Sequence, residues 1–193
     1  NSGSGTATQL QVGSSGNAGT VIFGGANTYS NNTTVAYGTA QAGNNSAFGS
    51  SGTVIVSSVA TLDVAGYIIS RPINLNGGVA LSSTGSGGKL TGGITLGSST
   101  SYFAAGSGAV LTVDTNIISD ASNGYAVVSG TSGNTGVVVF GAANTYSGGT
   151  TVAYGTLRFG SDYVVTSSAV TSSPIGTANL IISAGTTLDL NGH

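Results

Sequence analysis

One long motif occurs twice in the sequence, and its second copy reads Phe140-Gly-Ala-Ala-Asn144-Thr-Tyr146-Ser-Gly-Gly-Thr150-Thr-Val152-Ala-Tyr154-Gly-Thr156-Leu-Arg-Phe-Gly160. The first copy reads Phe23-Gly-Gly-Ala-Asn27-Thr-Tyr29-Ser-Asn-Asn-Thr33-Thr-Val35-Ala-Tyr37-Gly-Thr39-Ala-Gln-Ala-Gly43. The two copies lie a constant 117 residues apart (140 − 23 and 160 − 43), so no insertion separates their landmarks. Repetition at a fixed period is the sequence signature of repeat architectures, and a solenoid is therefore the first expectation.

A second repeated segment follows each copy. Thr53-Val-Ile-Val-Ser-Ser-Val-Ala-Thr-Leu62-Asp63-Val64-Ala-Gly66 corresponds to Ala178-Asn-Leu-Ile-Ile-Ser-Ala-Gly-Thr-Thr-Leu188-Asp189-Leu190-Asn-Gly192. Leu188 follows Leu62 by 126 residues (188 − 62), which predicts an insertion at 161–173 that bulges outward as a loop. We therefore predict one β-helix domain over 1–193, with related blocks at 15–66 and 132–192. It would be a segment of a longer solenoid or the subunit of a fibre.

The composition excludes several classes of protein. Only 4% of the residues are charged, and Arg71, Lys89 and Arg158 are scattered, so no basic patch indicates a nucleic-acid partner. No apolar run approaches the roughly 20 residues needed to span a bilayer, so this segment is not predicted to cross a membrane. Cysteine is absent, which excludes disulfides and thiolate chemistry. The chain begins at Asn1, which suggests a processed or excised segment.

Short runs of β-branched residues between glycines and asparagines predict strands. In the first block these are 20–23, 33–41, 53–57 and 60–64, with Leu62 and Val64 on one face and Thr61 and Asp63 on the other. Leu10 and Val12 predict either a weak rung or a frayed segment at the beginning of the chain. The middle third continues the alternation of short predicted strands and turns, with strands at 67–69, 73–75, 79–81, 89–90, 94–96, 110–113, 117–118 and 125–128. The helical spacing of apolar residues is not found over any ten residues.

Short strands with Gly-rich turns are compatible with a sandwich or a barrel as well as a solenoid. The repeat favours a parallel β-helix, in which successive coils stack roughly 4.8 Å apart and meet similar constraints. Val, Ile, Leu and Phe then form files inside, while Thr, Ser and Asn form ladders outside. Rungs of roughly 20–25 residues predict about eight or nine rungs. The low charge agrees, because like charges on adjacent strands repel.

The signature resembles the autotransporter-associated β-strand repeat. The resemblance rests on Gly141-Ala-Ala-Asn144-Thr-Tyr146-Ser-Gly-Gly-Thr150-Thr-Val152, on Gly155-Thr156-Leu157 and on Ala184-Gly-Thr-Thr-Leu188-Asp189-Leu190-Asn-Gly192. The first block departs from the family pattern at Asn31-Asn32 and Ala40. The resemblance implies a right-handed parallel β-helix, secretion across the bacterial outer membrane, and a stalk, adhesive or other surface role. It implies no catalytic site, cofactor or metal, because the repeat is a scaffold.

The alternative function is a carbohydrate-binding or carbohydrate-cleaving β-helix. Glycoside hydrolysis needs two carboxylates about 5–10 Å apart. The candidates are Asp63, Asp114, Asp120, Asp162 and Asp189. Asp63 and Asp189 occupy the same repeat position and are therefore far apart, which leaves Asp114 and Asp120 as the pair to test. The structural alternative for each residue is an aspartate that faces outward from a strand or lies in a turn.

Other site chemistries have less support. His193 is the single histidine and the last residue, so no positioned base is predicted for a nucleophilic hydroxyl. Metal binding through His or Cys is excluded in practice, and the glycine-aspartate pattern of calcium-binding β-rolls is absent. Gly85-Ser-Gly-Gly-Lys89-Leu90 resembles a phosphate loop only superficially, because Leu90 replaces the Ser or Thr that binds Mg²⁺. We interpret it as a glycine turn.

Two further residue classes leave surface glycans open as partners. Tyr29, Tyr37, Tyr146 and Tyr154 could form a sugar-binding surface, although stacking across rungs is the favoured role. Sequons for N-glycosylation begin at Asn31, Asn32 and Asn44, where turn formation is favoured.

The sequence shows no protective cap at either end. A β-helix exposes unpaired strands at its ends, which native proteins normally cover. The ends are therefore expected to meet neighbouring rungs of a longer chain or other copies in a head-to-tail filament. We predict a non-enzymatic extracellular structural protein of the bacterial cell surface. A stalk or self-assembling filament is the first expectation, and an adhesive role is the second.

Overall fold

The computed structural model describes residues 9–85, 87–114, 118–162, 164–166 and 169–193, with the backbone alone at 164–166 and 169–172. Strands are the only regular elements in these ranges, and no helix is present there. In chain order the strands are β1 Leu10–Val12, β2 Thr20–Phe23, β3 Thr33–Val35, β4 Gly38–Ala42, β5 Val54–Ser57, β6 Ala60–Asp63, β7 Ile68–Ile69, β8 Ile73–Asn76, β9 Val79–Ser82, β10 Gly88–Leu90, β11 Ile94–Leu96, β12 Thr100–Ala105, β13 Val110–Val113, β14 Ile118–Ser119, β15 Ala126–Ser129, β16 Val137–Phe140, β17 Thr150–Val152, β18 Thr156–Phe159, β19 Val164–Thr166, β20 Ala169–Ser172, β21 Leu180–Ile182 and β22 Thr187–Asp189.

Three parallel sheets form the walls of a β-solenoid. Sheet 1 is ordered β1-β3-β5-β8-β11-β14, sheet 2 is β2-β4-β6-β9-β12-β15-β17-β21, and sheet 3 is β7-β10-β13-β16-β18-β22. A full turn such as β8-β9-β10 passes through the three sheets in that order. The prediction of an all-β parallel β-helix is confirmed. The solenoid makes about six turns, slightly fewer than the eight or nine that the sequence predicted, since two sheets contain six strands each.

The register of the sheets aligns side chains in files. In sheet 1 an inward file consists of Val12, Val35, Val56, Leu75 and Leu96, all buried. The outward file beside it consists of Gln11, Thr34, Ile55, Asn74, Thr95 and Ser119. Alternation along each strand produces both files, as the period-two pattern predicted. Each fully buried aliphatic side chain contributes about 1.5–3 kcal/mol to folding.

The two related blocks lie on different walls. Strands β1-β3-β5 stack in sheet 1, whereas their equivalents β15-β17-β21 stack in sheet 2. Likewise β2-β4-β6 stack in sheet 2 and β16-β18-β22 in sheet 3. The segment between the two blocks therefore makes a whole number of turns and then continues to the next sheet. As a result, each strand of the second block lies one sheet further round the solenoid than its equivalent in the first block. Its internal stacking is unchanged, because each strand keeps the corresponding neighbours.

The segment predicted as one strand over 33–41 is two strands. The chain turns between β3 and β4 at Gly38, whose φ is +69°. A side chain there would meet the carbonyl oxygen of Gly19 at 2.4 Å, because consecutive corners pack backbone to backbone. Glycine is therefore required by the close approach as well as by the dihedral angle.

Other expectations need adjustment at the level of single elements. Strand β12, Thr100–Ala105, was not predicted. The insertion after the second signature contains an antiparallel strand pair, β19 with β20, and is not a plain loop. The predicted weak first rung is present as β1. Ile117, part of a predicted strand, lies outside the described residues.

Candidate functional site

The asparagine of the signature binds the backbone of the next rung. Asn27 donates from its backbone nitrogen to the Ser46 carbonyl at 3.0 Å and from Nδ2 to the Ala47 carbonyl at 2.8 Å. Asn144 makes the equivalent bonds to Ser173 at 2.8 Å and to Pro174 at 2.5 Å. Each asparagine thus bonds two consecutive carbonyls, which fixes how the next rung is placed.

Asn144 also reaches the rung on its other side. Its Oδ1 accepts a hydrogen bond from the backbone nitrogen of Ile118 at 2.7 Å, and the residue is 1% exposed. Asn144 thus joins its own rung to the rungs on both sides. Replacing this buried amide should lower the free energy of unfolding, because its partners would lose their hydrogen bonds without gaining bonds to water. Sequence reasoning missed this role, although the repeated Asn was its signal.

The tyrosine two positions later closes the corner. Tyr146 is fully buried, and its hydroxyl is hydrogen-bonded to Thr150 Oγ1. Thr150 Oγ1 in turn donates to the carbonyl of Ile175 at 2.8 Å. In the first block Tyr29 contacts Thr33 Oγ1 at 2.7 Å in the same way. Burial raises the pKa of both phenols, more strongly for Tyr146, although the threonine hydrogen bond opposes the shift.

A glycine of the next rung lies against each ring. A Cβ on Gly49 would lie 2.8 Å from the Tyr29 ring, and a Cβ on Gly176 would lie 2.7 Å from the Tyr146 ring. Both glycines have positive φ, +78° and +76°. Each of these two tyrosine rings therefore packs against a glycine of the next rung.

The other two signature tyrosines differ from this pair. Tyr37 is half-buried, and Tyr154 is 43% exposed. They lie just before Gly38 and Gly155, at the second corner of each signature. An aromatic surface that includes all four tyrosines is therefore not formed.

Asp63 and Asp189 hold equivalent hydrogen bonds. Asp63 accepts from Gln41 Nε2 at 2.7 Å and from the backbone nitrogen of Ala65 at 2.9 Å. Asp189 accepts from Arg158 Nε at 2.6 Å and from the backbone nitrogen of Asn191 at 2.9 Å. These hydrogen bonds, with Arg158 foremost, lower the pKa of Asp189. The prediction that the two aspartates share one repeat position is confirmed.

Asp120 is a buried acceptor at the end of sheet 1. It is 1% exposed, and its Oδ2 accepts from Ser147 Oγ at 2.8 Å and from the backbone nitrogens of Ser147 and Tyr125 at 3.0 Å. Its Oδ1 accepts from the Ser122 nitrogen at 2.9 Å. Burial alone would raise the pKa of Asp120, but these hydrogen bonds outweigh it and lower the pKa.

Asp114, the second member of the pair proposed for hydrolysis, has a different partner. Its Oδ2 lies 2.8 Å from Lys89 Nζ in a half-exposed ion pair. Asp120 is occupied by backbone and serine donors, so each carboxylate is held by its own set of groups. A general acid needs a carboxyl that can keep its proton near neutral pH, and the lowered pKa of Asp120 opposes that role.

The three cations are less scattered in space than in sequence. Lys89 and Arg158 lie in one outward file of sheet 3, separated by Thr112 and Val139. Each is paired with an aspartate, so the file carries two ion pairs and no uncompensated cationic patch. Arg71 donates to the carbonyls of Ser50 at 2.5 Å and Gly52 at 2.8 Å, which ties two rungs together.

His193 is paired with Asp162. Its Nδ1 lies 2.9 Å from Asp162 Oδ1, whose side chain is 80% exposed. The contact lies at the surface of the last turn. It joins the end of the chain to the segment that follows β18.

The remaining sequence motifs take structural roles. Lys89 of the glycine-rich segment lies in strand β10 and follows a turn at Gly85, where φ is +73°. Asn32 Oδ1 accepts from the Thr53 nitrogen, and Asn44 Oδ1 accepts from the Ser46 nitrogen, both at 2.9 Å. These are turn and rung contacts, in agreement with the favoured interpretation of each motif.

Two kinds of site are absent from the part of the chain that the structure describes. Within it, three or more His, Cys, Asp or Glu side chains do not gather where a metal ion could bind. Over the same ranges, no helix is long and apolar enough to cross a membrane.

A shallow, open depression lies beside the first signature corner. Gln9, Ser30, Asn31 and Asn32 line it. Its lining consists of amides and a hydroxyl, which are groups that hydrogen-bond to sugar hydroxyls. None of the signature tyrosines lines it.

Both ends of the solenoid expose apolar side chains. Val21 and Ile22 of β2 are 45% and 63% exposed, and Ile181 and Ile182 of β21 are 58% and 49% exposed. Val21 and Ile182 pair with the fully buried Ala40 and Val152, so they occupy inward core positions. These two inward side chains are therefore less covered than their partners on the adjacent rungs.

We compared the chain with known proteins at three levels: no family model, no curated protein and no solved structure matches it.

Proposed function

We propose that this protein is a non-enzymatic structural element, a β-helical stalk or self-assembling filament. The observation that carries the proposal is the use of the repeated polar side chains as contacts between rungs. Asn144, Asp63 and Asp189 each bond to a neighbouring rung, and Thr150, the partner of Tyr146, donates to Ile175 of the next rung. A chain whose repeated polar side chains hold adjacent rungs together is suited to form a long, rigid structure.

The proposal includes a position outside the cell or on the bacterial cell surface, with adhesion as a further role. This part rests on the resemblance of the signature to the autotransporter-associated repeat. The low charge and the absence of cysteine are compatible with it. Secretion of the natural protein, followed by its detection in the surface fraction of the source cells, would test this part separately.

The experiment for the structural role measures turnover and resistance together. The purified chain should release no product from a panel of neutral, acidic and amino-sugar polysaccharides. It should also survive protease and heat that degrade an unrelated globular protein of similar size. Rapid proteolysis of the chain under these conditions would contradict the proposed role.

The alternative of carbohydrate cleavage makes a different forecast. If the chain depolymerised a polysaccharide, Asp114→Asn or Asp120→Asn should abolish product release, with Asp162→Asn as a charge-matched control. Turnover that responds in this way would overturn the structural proposal. Asp120→Asn must be checked for folding by circular dichroism, because the side chain is buried.

The alternative of carbohydrate binding is favoured by one feature, the amide-lined depression at Gln9, Ser30, Asn31 and Asn32. Screening of the chain on a glycan array, followed by titration of any hit, would test it. Binding that is lost in Asn32→Ala but retained in Asn134→Ala, at a half-buried turn asparagine that does not line the depression, would support this second function.

A further inference from the structure

We infer that the exposed turn at Asn123-Gly124 is a site of self-catalysed deamidation. The Gly124 nitrogen attacks the side chain of Asn123, while Ser147 and Asp120 take up the proton that this nitrogen loses. The product is an aspartate or an isoaspartate at this position, and it weakens a contact between two rungs that Asp120 maintains. The modification consumes water alone and is independent of the structural role proposed above.

An asparagine followed by a glycine is the sequence in which this reaction meets the least hindrance. The backbone nitrogen of the second residue closes a five-membered ring on the asparagine Cγ, and glycine has no Cβ to obstruct the close approach. The sequence contains such pairs at Asn76-Gly77, Asn123-Gly124 and Asn191-Gly192. The surroundings of each pair in the folded chain therefore decide where the reaction is assisted.

The Gly124 nitrogen begins a chain of hydrogen bonds that ends at a carboxylate. It donates to Ser147 Oγ at 3.1 Å, and Ser147 Oγ donates to Asp120 Oδ2 at 2.8 Å. A serine hydroxyl can accept one hydrogen bond while it donates another, so a proton can pass from the nitrogen through Ser147 to Asp120. The carboxylate thus acts as a general base on the attacking nitrogen through one hydroxyl.

The pair Asn76-Gly77 provides a contrast within the same chain. The Gly77 nitrogen also donates to a serine, Ser101 Oγ, at 3.3 Å. Ser101 Oγ, however, donates to the backbone carbonyl of Leu75 at 3.1 Å. A peptide carbonyl accepts hydrogen bonds but is not a titratable base. The two glycines therefore share the first hydrogen bond and differ in the group at the end of the chain.

Water reaches the turn at Asn123, as the hydrolysis of the ring requires. Asn123 and Gly124 are exposed, and nothing lies within 4 Å of the position that a Cβ on Gly124 would occupy. The same position on Gly77 lies 3.2 Å from the side chains of Ser58 and Ser98 on the adjacent rungs. The turn at Asn123 therefore combines a base with open space, whereas the turn at Gly77 is enclosed.

The reaction has two steps. In the first, the Gly124 nitrogen gives its proton through Ser147 to Asp120 and forms a bond to Asn123 Cγ. The bond between Cγ and Nδ2 breaks, and the leaving nitrogen takes the proton back and departs as ammonia, which leaves a succinimide. In the second step, water adds to one of the two ring carbonyls. Opening at Cγ gives aspartate, and opening at the main-chain carbonyl gives isoaspartate.

The modified residue loosens the turn that holds Asp120. Asn123 Nδ2 donates to the carbonyl of Asp120 at 2.7 Å, and deamidation removes this donor and adds a negative charge. Isoaspartate also lengthens the main chain by one carbon between the Ser122 and Tyr125 nitrogens, which both donate to the Asp120 carboxylate. The same carboxylate accepts from Ser147 of the next rung, so the contact between the rungs weakens as the site is modified.

The first test compares the folded and the unfolded chain without any substitution. Both are incubated near neutral pH, the unfolded sample in urea, and peptide mapping by mass spectrometry measures the conversion of each asparagine. Asn123 should convert about tenfold faster in the folded chain than in urea, because only the fold supplies the base. Asn76 should convert more slowly in the folded chain, because its turn is enclosed. Protection of Asn123 by folding would overturn the inference.

The second test removes the hydroxyl that carries the proton. Ser147→Ala should slow the conversion of Asn123 in the folded chain by about tenfold or more, and Ser147→Thr, which keeps a hydroxyl, should retain the rate. Ser101→Ala interrupts the other serine chain and is the matched control, in which Asn123 should convert as in the unmodified chain. Circular dichroism verifies that each variant is folded. An Asn123 rate that Ser147→Ala does not change would overturn the role of Ser147 and Asp120.

The third test measures the consequence for the rungs. Ion exchange separates the modified chain from the unmodified chain by its added negative charge, and urea unfolding compares the two. The modified chain should unfold at a lower urea concentration. Asn123→Asp adds the charge without lengthening the main chain and should lie between them. A modified chain as stable as the unmodified one would show that the turn does not support the Asp120 contact, contrary to the inference.

Discussion

Asp63 and Asp189 occupy the same repeat position in two different sheets, and each accepts a hydrogen bond from the side chain directly beside it on the preceding rung. Gln41 pairs with Asp63 in sheet 2, whereas Arg158 pairs with Asp189 in sheet 3. The repeat therefore conserves a hydrogen bond between rungs while the donor changes from an amide to a guanidinium. Their surroundings differ in burial, because Asp63 is 2% exposed and lies beneath a further rung.

This pair gives a prediction about stability. Asp63→Ala removes an acceptor from Gln41 and from the backbone nitrogens of Ala65 and Ser83, so we expect the free energy of unfolding to fall by about 3 kcal/mol. Asp189→Ala should cause a smaller loss, since the donors of Asp189 can turn to water. Urea unfolding followed by circular dichroism measures both values, and equal losses would show that burial does not set the difference.

A second prediction concerns Gly176, which lies against the ring of Tyr146. Gly176→Ala adds a methyl group 2.6 Å from the carbonyl oxygen of Tyr146 at a residue with φ of +76°. Gly133 has φ of +82° but nothing within 4 Å of the added atom, so Gly133→Ala carries the backbone strain alone. We expect a loss of about 1 kcal/mol for Gly133→Ala from the left-handed backbone and at least about 2 kcal/mol more for Gly176→Ala from the clash.

The comparison between the two glycine variants isolates the contact with the tyrosine. Thermal and urea unfolding of both proteins provide the measurement. If the two variants unfold together, the corner accommodates a methyl group, and the need for glycine there comes from the dihedral angle only.

The sequence was sufficient for the fold because repetition and alternation are local signals. The 117-residue spacing indicated a solenoid, and the alternation at Leu62 and Val64 placed both side chains in the core. The rung count was less accurate, and so was the segment over 33–41, which looked like one strand but turns at Gly38. Strand β12 was missed because Thr100 and Ser101 resemble turn residues, and only the stacking of β9 and β15 on either side makes them a strand.

The candidate site was less predictable because its contacts join residues that are distant in sequence. Asn144 bonds to Ile118 and to Pro174, 26 and 30 residues away, and these distances depend on the length of each turn. The rotation of the second block by one sheet depends in the same way on the middle third of the chain. A repeated asparagine indicated a constraint but did not identify its partners.

A third prediction concerns acid. The pKa of Asp120 is lowered in the folded state, so its contribution to stability is present above the ordinary carboxyl pKa of about 3.9 and is lost as the pH falls below it. Asp120→Asn should be less stable at pH 7 and should lose less stability than the unmodified chain between about pH 4 and pH 2. Asp162→Asn makes the same charge change at a side chain 80% exposed and should follow the unmodified chain.

Unfolding by urea at several pH values measures this dependence. A parallel fall in stability for the Asp120 variant and the unmodified chain would show that the hydrogen bonds from Ser147 and Tyr125 do not favour the charged carboxylate.

A fourth prediction concerns alkali. Burial raises the pKa of Tyr146 in the folded state, so the phenol keeps its proton there while the unfolded chain loses it above about pH 10. Stability is therefore complete below that pH and falls as the pH rises above it. Tyr146→Phe removes this component and should show a shallower fall between about pH 10 and pH 11.5.

At neutral pH the same variant should lose about 1 kcal/mol, because the phenol no longer bonds to Thr150 while Thr150 still donates to Ile175. Tyr154→Phe, at a ring 43% exposed, is the control and should keep the steep alkaline fall. Urea unfolding at pH 8 and pH 11 compares the three proteins. If the Tyr146 and Tyr154 variants fall equally steeply, Tyr146 ionises as an exposed phenol does, and the signature corner must then admit water next to its threonine.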